Sequence, residues 1–180
     1  QTTDVEVEVN GLMTYDRALV KMNETAITAA NKTVYTPPQP RRSEGTKLVP
    51  PATPLVACDP YFSIWSPADK LTDADTVHWT GKPHRLTSLV RIDGKAFRVM
   101  GKEPANVPAL PQTNLEVLPT RTIYTFEGEG VRLTLTFMTA ALPDDLMIYS
   151  RPVTYLVWEV SANDGNSHDV QVCFTAAPEI

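Results

Sequence analysis

Leu86-Thr87-Ser88-Leu89-Val90-Arg91-Ile92-Asp93-Gly94-Lys95-Ala96-Phe97-Arg98-Val99-Met100 is the stretch that decides the fold class. Two strand-like runs flank Asp93-Gly94, a pair suited to a type I′ turn, which needs positive φ at both central residues. A two-residue loop sets the pairing. Ile92 then opposes Lys95, Val90 opposes Phe97, and Ser88 opposes Val99 on one face. Arg91 with Ala96 and Leu89 with Arg98 occupy the other, more mixed face.

A second hairpin joins Arg121–Phe126 to Val131–Met138, with Glu127-Gly128-Glu129-Gly130 as its loop. That loop places Phe126 against Val131, Tyr124 against Leu133 and Thr122 against Leu135. The opposite face carries Arg121, Thr125, Arg132, Thr134 and Thr136, with Ile123 its large apolar member. One dry face and one wet face describe an antiparallel sheet half exposed to water. A third pair, Val153–Ser161 with Asp169–Thr175, is expected across a loop rich in turn formers, Ala162 to His168. Hairpins in series without a core helix predict an all-β chain, an antiparallel β-sandwich. The last residues, Ala176-Ala177-Pro178-Glu179-Ile180, follow a strand with no closing element. The sandwich is therefore expected to be incomplete at its C-terminus, with an unpaired edge or apolar patch nearby.

Residues 1–45 read differently and are taken as an N-terminal appendage, with the sandwich over 46–180. Val5, Val7 and Val9 alternate with Glu6 and Glu8, the solvated side of a short strand. Tyr15 to Lys32 has modest helical character, and Thr36 to Gly45 reads as a proline-rich linker. Asn23-Glu24-Thr25 and Asn31-Lys32-Thr33 match the glycosylation sequon, which matters in a eukaryotic source.

At 180 residues with 42% hydrophobic side chains, the chain can bury a core of its own. A net charge of −5 without a basic cluster larger than Arg41-Arg42 gives no footprint for nucleic acid. No apolar run approaches the roughly 20 residues that span a bilayer. Gln1-Thr2-Thr3-Asp4 does not begin a signal peptide, which suits a processed secreted chain and a cytosolic one equally. Cys58 and Cys173 are read as buried free thiols, although an oxidising compartment would allow a disulfide.

Chemistry, if present, is expected between Asp59 and His84, where acidic, aromatic and imidazole groups gather in a loop-like stretch. Asp59, Tyr61, Trp65, His78 and Trp79 are the candidate substrate-binding residues, an indole stacking on a ligand while a carboxylate accepts its hydrogen bonds. The plainer reading sends the aromatics into the core and uses the aspartates to cap turns. His78 beside Trp79 is the pair with most claim to more, although a histidine held by a backbone carbonyl is commoner than a catalytic one. The histidines and cysteines lack metal-ligand spacing, and no cofactor motif is present, so neither metal nor cofactor is expected. Asp144-Asp145 follows a proline and reads as a turn or helix cap rather than an acid/base pair.

Asp59-Pro60-Tyr61-Phe62-Ser63-Ile64-Trp65-Ser66, His78-Trp79-Thr80-Gly81 and Arg91 to Gly101 together resemble the N-terminal region of the secreted glutaminase A-like proteins. Thr139 to Leu146, leading into Ser150 to Leu156, is similar to the same region. The resemblance covers about Pro50 to Thr175. It implies a parent with a β-sandwich ahead of an (α/α) toroid, secreted or periplasmic, which hydrolyses L-glutamine to L-glutamate and ammonia. It carries over no catalytic residue, and implies that the reacting groups lie on a downstream helical domain, the expected partner. The chain would then be a non-catalytic sandwich that supports or borders the active site. A carbohydrate-binding sandwich with Trp65, Trp79 or Trp158 as platforms is the alternative, and a purely structural module the third.

Overall fold

The computed structural model describes residues 50–179, so the readings made for residues 1–45 lie outside the described residues. Nine strands and one helical turn follow in order: β1 (Thr53–Ala57), β2 (Ser63–Ser66), β3 (Leu86–Ile92), β4 (Lys95–Met100), β5 (Gln112–Leu118), β6 (Arg121–Gly128), β7 (Val131–Thr139), α1 (Leu146–Tyr149), β8 (Thr154–Ala162) and β9 (Val170–Ala176). They form a three-stranded sheet β4-β3-β9, a four-stranded sheet β5-β6-β7-β8, and the small pair β1-β2. Every strand pair is antiparallel. The all-β expectation holds.

The core explains the sandwich. Val90, Ile92, Val99 and Met100 from β3 and β4 join Tyr124, Phe126, Leu133, Leu135 and Phe137 from β6 and β7 in one buried cluster. Strict alternation along β6 and β7 buries Thr122, Tyr124, Phe126, Val131, Leu133, Leu135 and Phe137 on a single face. Leu55, Val56 and Ile64 add the short β1-β2 pair to that core. Thr122 Oγ1 donates to the Pro54 carbonyl at 2.7 Å and ties β1 to β6.

Asp93 (φ 47°) and Gly94 (φ 85°) make the expected turn, and four of the five expected β3–β4 pairs are present. The fifth differs, because a bulge at Ser88/Leu89 moves Ser88 opposite Met100. The β6–β7 loop is corrected from four residues to two. Gly128 pairs with Val131, and the turn is Glu129-Gly130, both at positive φ. Each pair thereby shifts by two, so every side chain keeps its expected face.

The third expected hairpin does not form. β8 pairs with β7 and β9 pairs with β3, so residues 163–169 carry the chain from one sheet to the other. The reason lies in Asp93. Its backbone N–H donates to the Asp169 carbonyl, and its carboxylate accepts from the Asp169 N–H, each at 2.9 Å. Asn163 N–H meanwhile donates to the Gly130 carbonyl at 2.8 Å. The loop is thus fastened to two different turns. β8 and β9 are both outer strands, and Val160 on β8 and Phe174 on β9 are exposed.

Both thiols are free, but Cys173 is exposed rather than buried. It stands on the outward face of an edge strand, paired with Leu89 while Val172 and Phe174 point toward the core side.

Candidate functional site

The Cys58–Phe62 turn organises one end of the sandwich. Asp59 caps it, its Oδ1 accepting from the N–H groups of Tyr61 (2.7 Å) and Phe62 (2.9 Å). This holds the Pro60 carbonyl outward, where it accepts from His78 Nε2 at 2.9 Å and from Trp79 Nε1 at 2.7 Å. His78 Nδ1 faces Thr80, 2.8 Å from its hydroxyl and 3.3 Å from the backbone N–H that donates to it. A carbonyl only accepts and an N–H only donates, so the ring proton is on Nε2 and the lone pair on Nδ1. Both nitrogens of the nearly buried His78 are occupied. Its ring also stands 5.3 Å from Trp79 and 5.0 Å from His84 between centroids.

The structure therefore brings four of the five candidate residues together. Asp59 and His78 hold the turn, while Tyr61 (89% exposed) and Trp79 (62% exposed) present rings to solvent. Trp65 on β2 adjoins them through its backbone alone, exchanging hydrogen bonds with Val77 at 2.7 and 2.9 Å, while its half-buried indole Nε1 donates to Ser63 Oγ at 2.7 Å. Trp158 is half-buried against Phe174, with centroids 5.6 Å apart. Of the three indoles, Trp79 alone has the exposure a stacking platform needs.

On the other side of the same turn lies a cleft of about 250 Å³. It opens between β1, the β5–β6 turn and the segment joining β7 to β8. Cys58, Arg121, Thr122, Thr139, Tyr149 and Arg151 are among its lining residues. Cys58 Sγ lies 3.4 Å from Thr154 Oγ1, which in turn lies 2.9 Å from Thr139 Oγ1. No carboxylate or histidine lines the cleft among the described residues. The cleft offers cationic and hydroxyl groups, suited to holding an anion in place.

Sequence reasoning missed this cleft. Its residues come from four separated segments, so no local motif marks it. The available signal was Leu146-Met147-Ile148-Tyr149, an apolar run after Asp144-Asp145. Asp145 proves to be a cap, its Oδ1 accepting from Met147 and Ile148 N–H at 3.1 Å each. The helical turn it starts buries none of its residues.

Among the described residues, no group of three or more His, Cys, Asp or Glu could hold a metal ion, and no helix is long and apolar enough to cross a membrane.

Comparison with known proteins fits the resemblance. Residues 25–111 match a domain of unknown function (DUF4964), and residues 120–180 match a second domain of unknown function (DUF5127). Over 131 residues, 68% of this chain, the sequence is 32% identical to glutaminase A of Aspergillus oryzae (strain ATCC 42149 / RIB 40). That alignment covers 19% of the relative, so the chain spans about a fifth of its length. No solved structure matches. With all of its strands except β5 lying in the two matched domains and that alignment covering two thirds of its length, this chain carries a glutaminase A-like region.

Proposed function

We propose that this chain is the non-catalytic N-terminal β-sandwich of a secreted or periplasmic glutaminase-like amidohydrolase. The parent would hydrolyse L-glutamine to L-glutamate and ammonia on a downstream helical domain, and the sandwich would support that domain and border its active site. The observation that carries this reading is the chemistry of the Cys58–Phe62 end. Amide hydrolysis needs a nucleophile with a base within hydrogen-bond reach. Here Cys58 and the cleft hydroxyls face one another, and His78 spends both nitrogens on the turn. Arg121 and Arg151 can orient a carboxylate but move no proton.

The test is ammonia release from L-glutamine by the 180-residue chain and by the full-length protein of the same reading frame. Release by the full-length protein alone is the expected result. Release by the short chain would overturn its non-catalytic assignment, and silence from both would overturn the amidohydrolase.

A second reading, a carbohydrate-binding sandwich, is favoured by the exposed rings of Tyr61 and Trp79. It requires saturable polysaccharide binding that Trp79→Ala abolishes. It has lost two of its three platforms, since Trp65 and Trp158 are half-buried.

A further inference from the structure

Several arginines are spent on the fold. Arg85 pairs with Glu179, Arg132 pairs with Glu127, and Arg98 donates to the carbonyls of Thr72, Gly101 and Val107. The guanidinium groups of Arg91, Arg121 and Arg151 have no hydrogen bond or ion pair among the described residues. Arg91 stands on the exposed side of β3, whereas Arg121 and Arg151 line one cleft. The Thr120 and Tyr149 hydroxyls in that cleft are also unpaired, while those of Thr122 and Thr139 are taken by Pro54 and Thr154. The backbone beneath these groups is fixed. Thr139 N–H donates to the Thr120 carbonyl at 3.2 Å, Arg151 N–H to the Ile148 carbonyl at 3.1 Å, and Val153 N–H to the Arg151 carbonyl at 2.8 Å. Leu55 and Phe137, both buried, supply an apolar wall. Glu116, Asp144 and Asp145 are near in sequence, yet none lines the cleft or pairs with either arginine, and Asp145 is engaged in capping α1. Donors without an acceptor side chain are what the cleft offers.

We propose that this cleft binds a small organic carboxylate that carries no amino group, with Arg121 and Arg151 as its charged anchors. A guanidinium fork matches a carboxylate with two parallel hydrogen bonds. Like charges lining a cleft with a low-dielectric wall focus their field on an incoming anion. The wall of Leu55 and Phe137 suits a short aliphatic stem, which inorganic phosphate lacks. At about 250 Å³ the cleft is smaller than a drug-sized pocket, so the acid it takes is short. An α-ammonium beside the carboxylate would meet two cations and no carboxylate, which disfavours an amino acid. Such a site is independent of glutamine hydrolysis, because its ligand is not an amino acid.

Glutarate is the probe, titrated by calorimetry into the 180-residue chain and followed in parallel through the arginine Nε–H resonances. Saturable binding that shifts Arg121 and Arg151 but not Arg91 is expected. Arg121→Gln and Arg151→Gln should each weaken it roughly tenfold with an unchanged urea midpoint, and Arg91→Gln should leave it as it was. L-Glutamate should bind several-fold more weakly than glutarate, and the uncharged glutaramide not at all. Should either cleft variant fail to fold, the wild-type contrast between glutarate and glutaramide still decides. Absence of saturation through tens of millimolar glutarate overturns the site. L-Glutamate binding as tightly as glutarate, or inorganic phosphate doing so, overturns the ligand class. Glutarate binding is expected to persist in the full-length protein. Its loss there assigns the cleft to a carboxylate side chain of the longer polypeptide, and overturns the small-molecule site.

Discussion

His168 Nδ1 lies 2.6 Å from Asp93 Oδ2, although 75 positions of sequence separate the two residues. Its Nε2 lies 3.0 Å from Asp164 Oδ1. One imidazole thus joins the β3–β4 turn of one sheet to the crossover loop leaving the other. Lys95 Nζ donates to Glu129 at 2.8 Å and links the same turn to the β6–β7 turn. The end of the sandwich remote from the cleft is closed by this polar tie. The cleft end is left open.

The tie predicts a pH dependence of stability. Hydrogen bonds to Asp93 and then Asp164 raise the His168 pKa above 6.5. The hydrogen bond to His168 lowers Asp93 below 3.8, and backbone and side-chain bonds from Asn166 are the largest causes lowering Asp164. A raised histidine stabilises fully below its unfolded value and loses that contribution as pH rises through the folded one. Lowered carboxylates stabilise above their unfolded values and lose it as pH falls through the folded ones. The tie is therefore strongest between roughly pH 4 and pH 6.5. Urea midpoints of the wild-type chain should fall from pH 6 toward pH 8, about the range in which a raised histidine loses its proton, while His168→Gln flattens that slope. Parallel curves for the two proteins would remove His168 from the account.

Gly130 sits under the same tie. Its φ is +75°, and a Cβ there would stand 2.5 Å from Asp164 Oδ2 and 2.8 Å from His168 Cε1. Neither neighbour can retreat without releasing its hydrogen bond. Gly130→Ala should cost more than about 1 kcal/mol in denaturant unfolding, combining backbone strain with displacement of the tie. Gly165, also at positive φ but with open space around it, should lose only the conformational part.

What could be read from the chain follows from where the physics is local. β3, β6 and β7 alternate because each has one face in the core, and Asp93-Gly94 names its own turn, which fixes β4. The Glu129-Gly130 turn was misplaced because Glu127 and Gly128 look equally loop-like, yet they continue the ladder to Val131. β5 was not legible. It is an outer strand whose Thr113, Asn114, Glu116 and Val117 are exposed, so burial imposes little period on it. β1 and β2 are too short to show one. The partner of β9 depended on backbone bonds between Asp93 and Asp169, which no local pattern announces. At the candidate site the residues were visible but not their tasks. Asp59 and Asp145 cap turns, and His78 braces one.

The core holds a polar group whose removal should not hurt. Tyr124 is fully buried between Phe126 and Phe137, and its hydroxyl makes no hydrogen bond of normal geometry. Burial pushes its pKa up to about 12, with the nearby Thr53 and Ser66 hydroxyls offsetting part of that effect. Deleting an unsatisfied buried hydroxyl removes a desolvation cost without opening a cavity. Tyr124→Phe should leave stability unchanged or raise it by up to about 1 kcal/mol. Phe137→Ala, which does open a cavity, should cost about 3–5 kcal/mol. A destabilised Tyr124→Phe would mean that Thr53 or Ser66 is a true partner of the hydroxyl.

The shared Pro60 carbonyl makes His78 and Trp79 partners in an energetic sense. Both donate to the same oxygen, at 2.9 and 2.7 Å, and a carbonyl has two lone pairs to satisfy. Removing either donor leaves that oxygen with one bond, so each single substitution should be mild. Losing both strips the oxygen and frees the Asp59-capped turn. A double-mutant cycle on His78→Ala and Trp79→Ala should therefore show coupling of about 0.5–1 kcal/mol, the double variant losing more than the two singles together. The near-buried His78 should dominate the singles, at about 1–2 kcal/mol, because its Thr80 contacts are lost as well. Strict additivity in urea unfolding would show that the two rings act separately. The turn would then be held by the Asp59 cap and its own Cys58–Phe62 backbone bond.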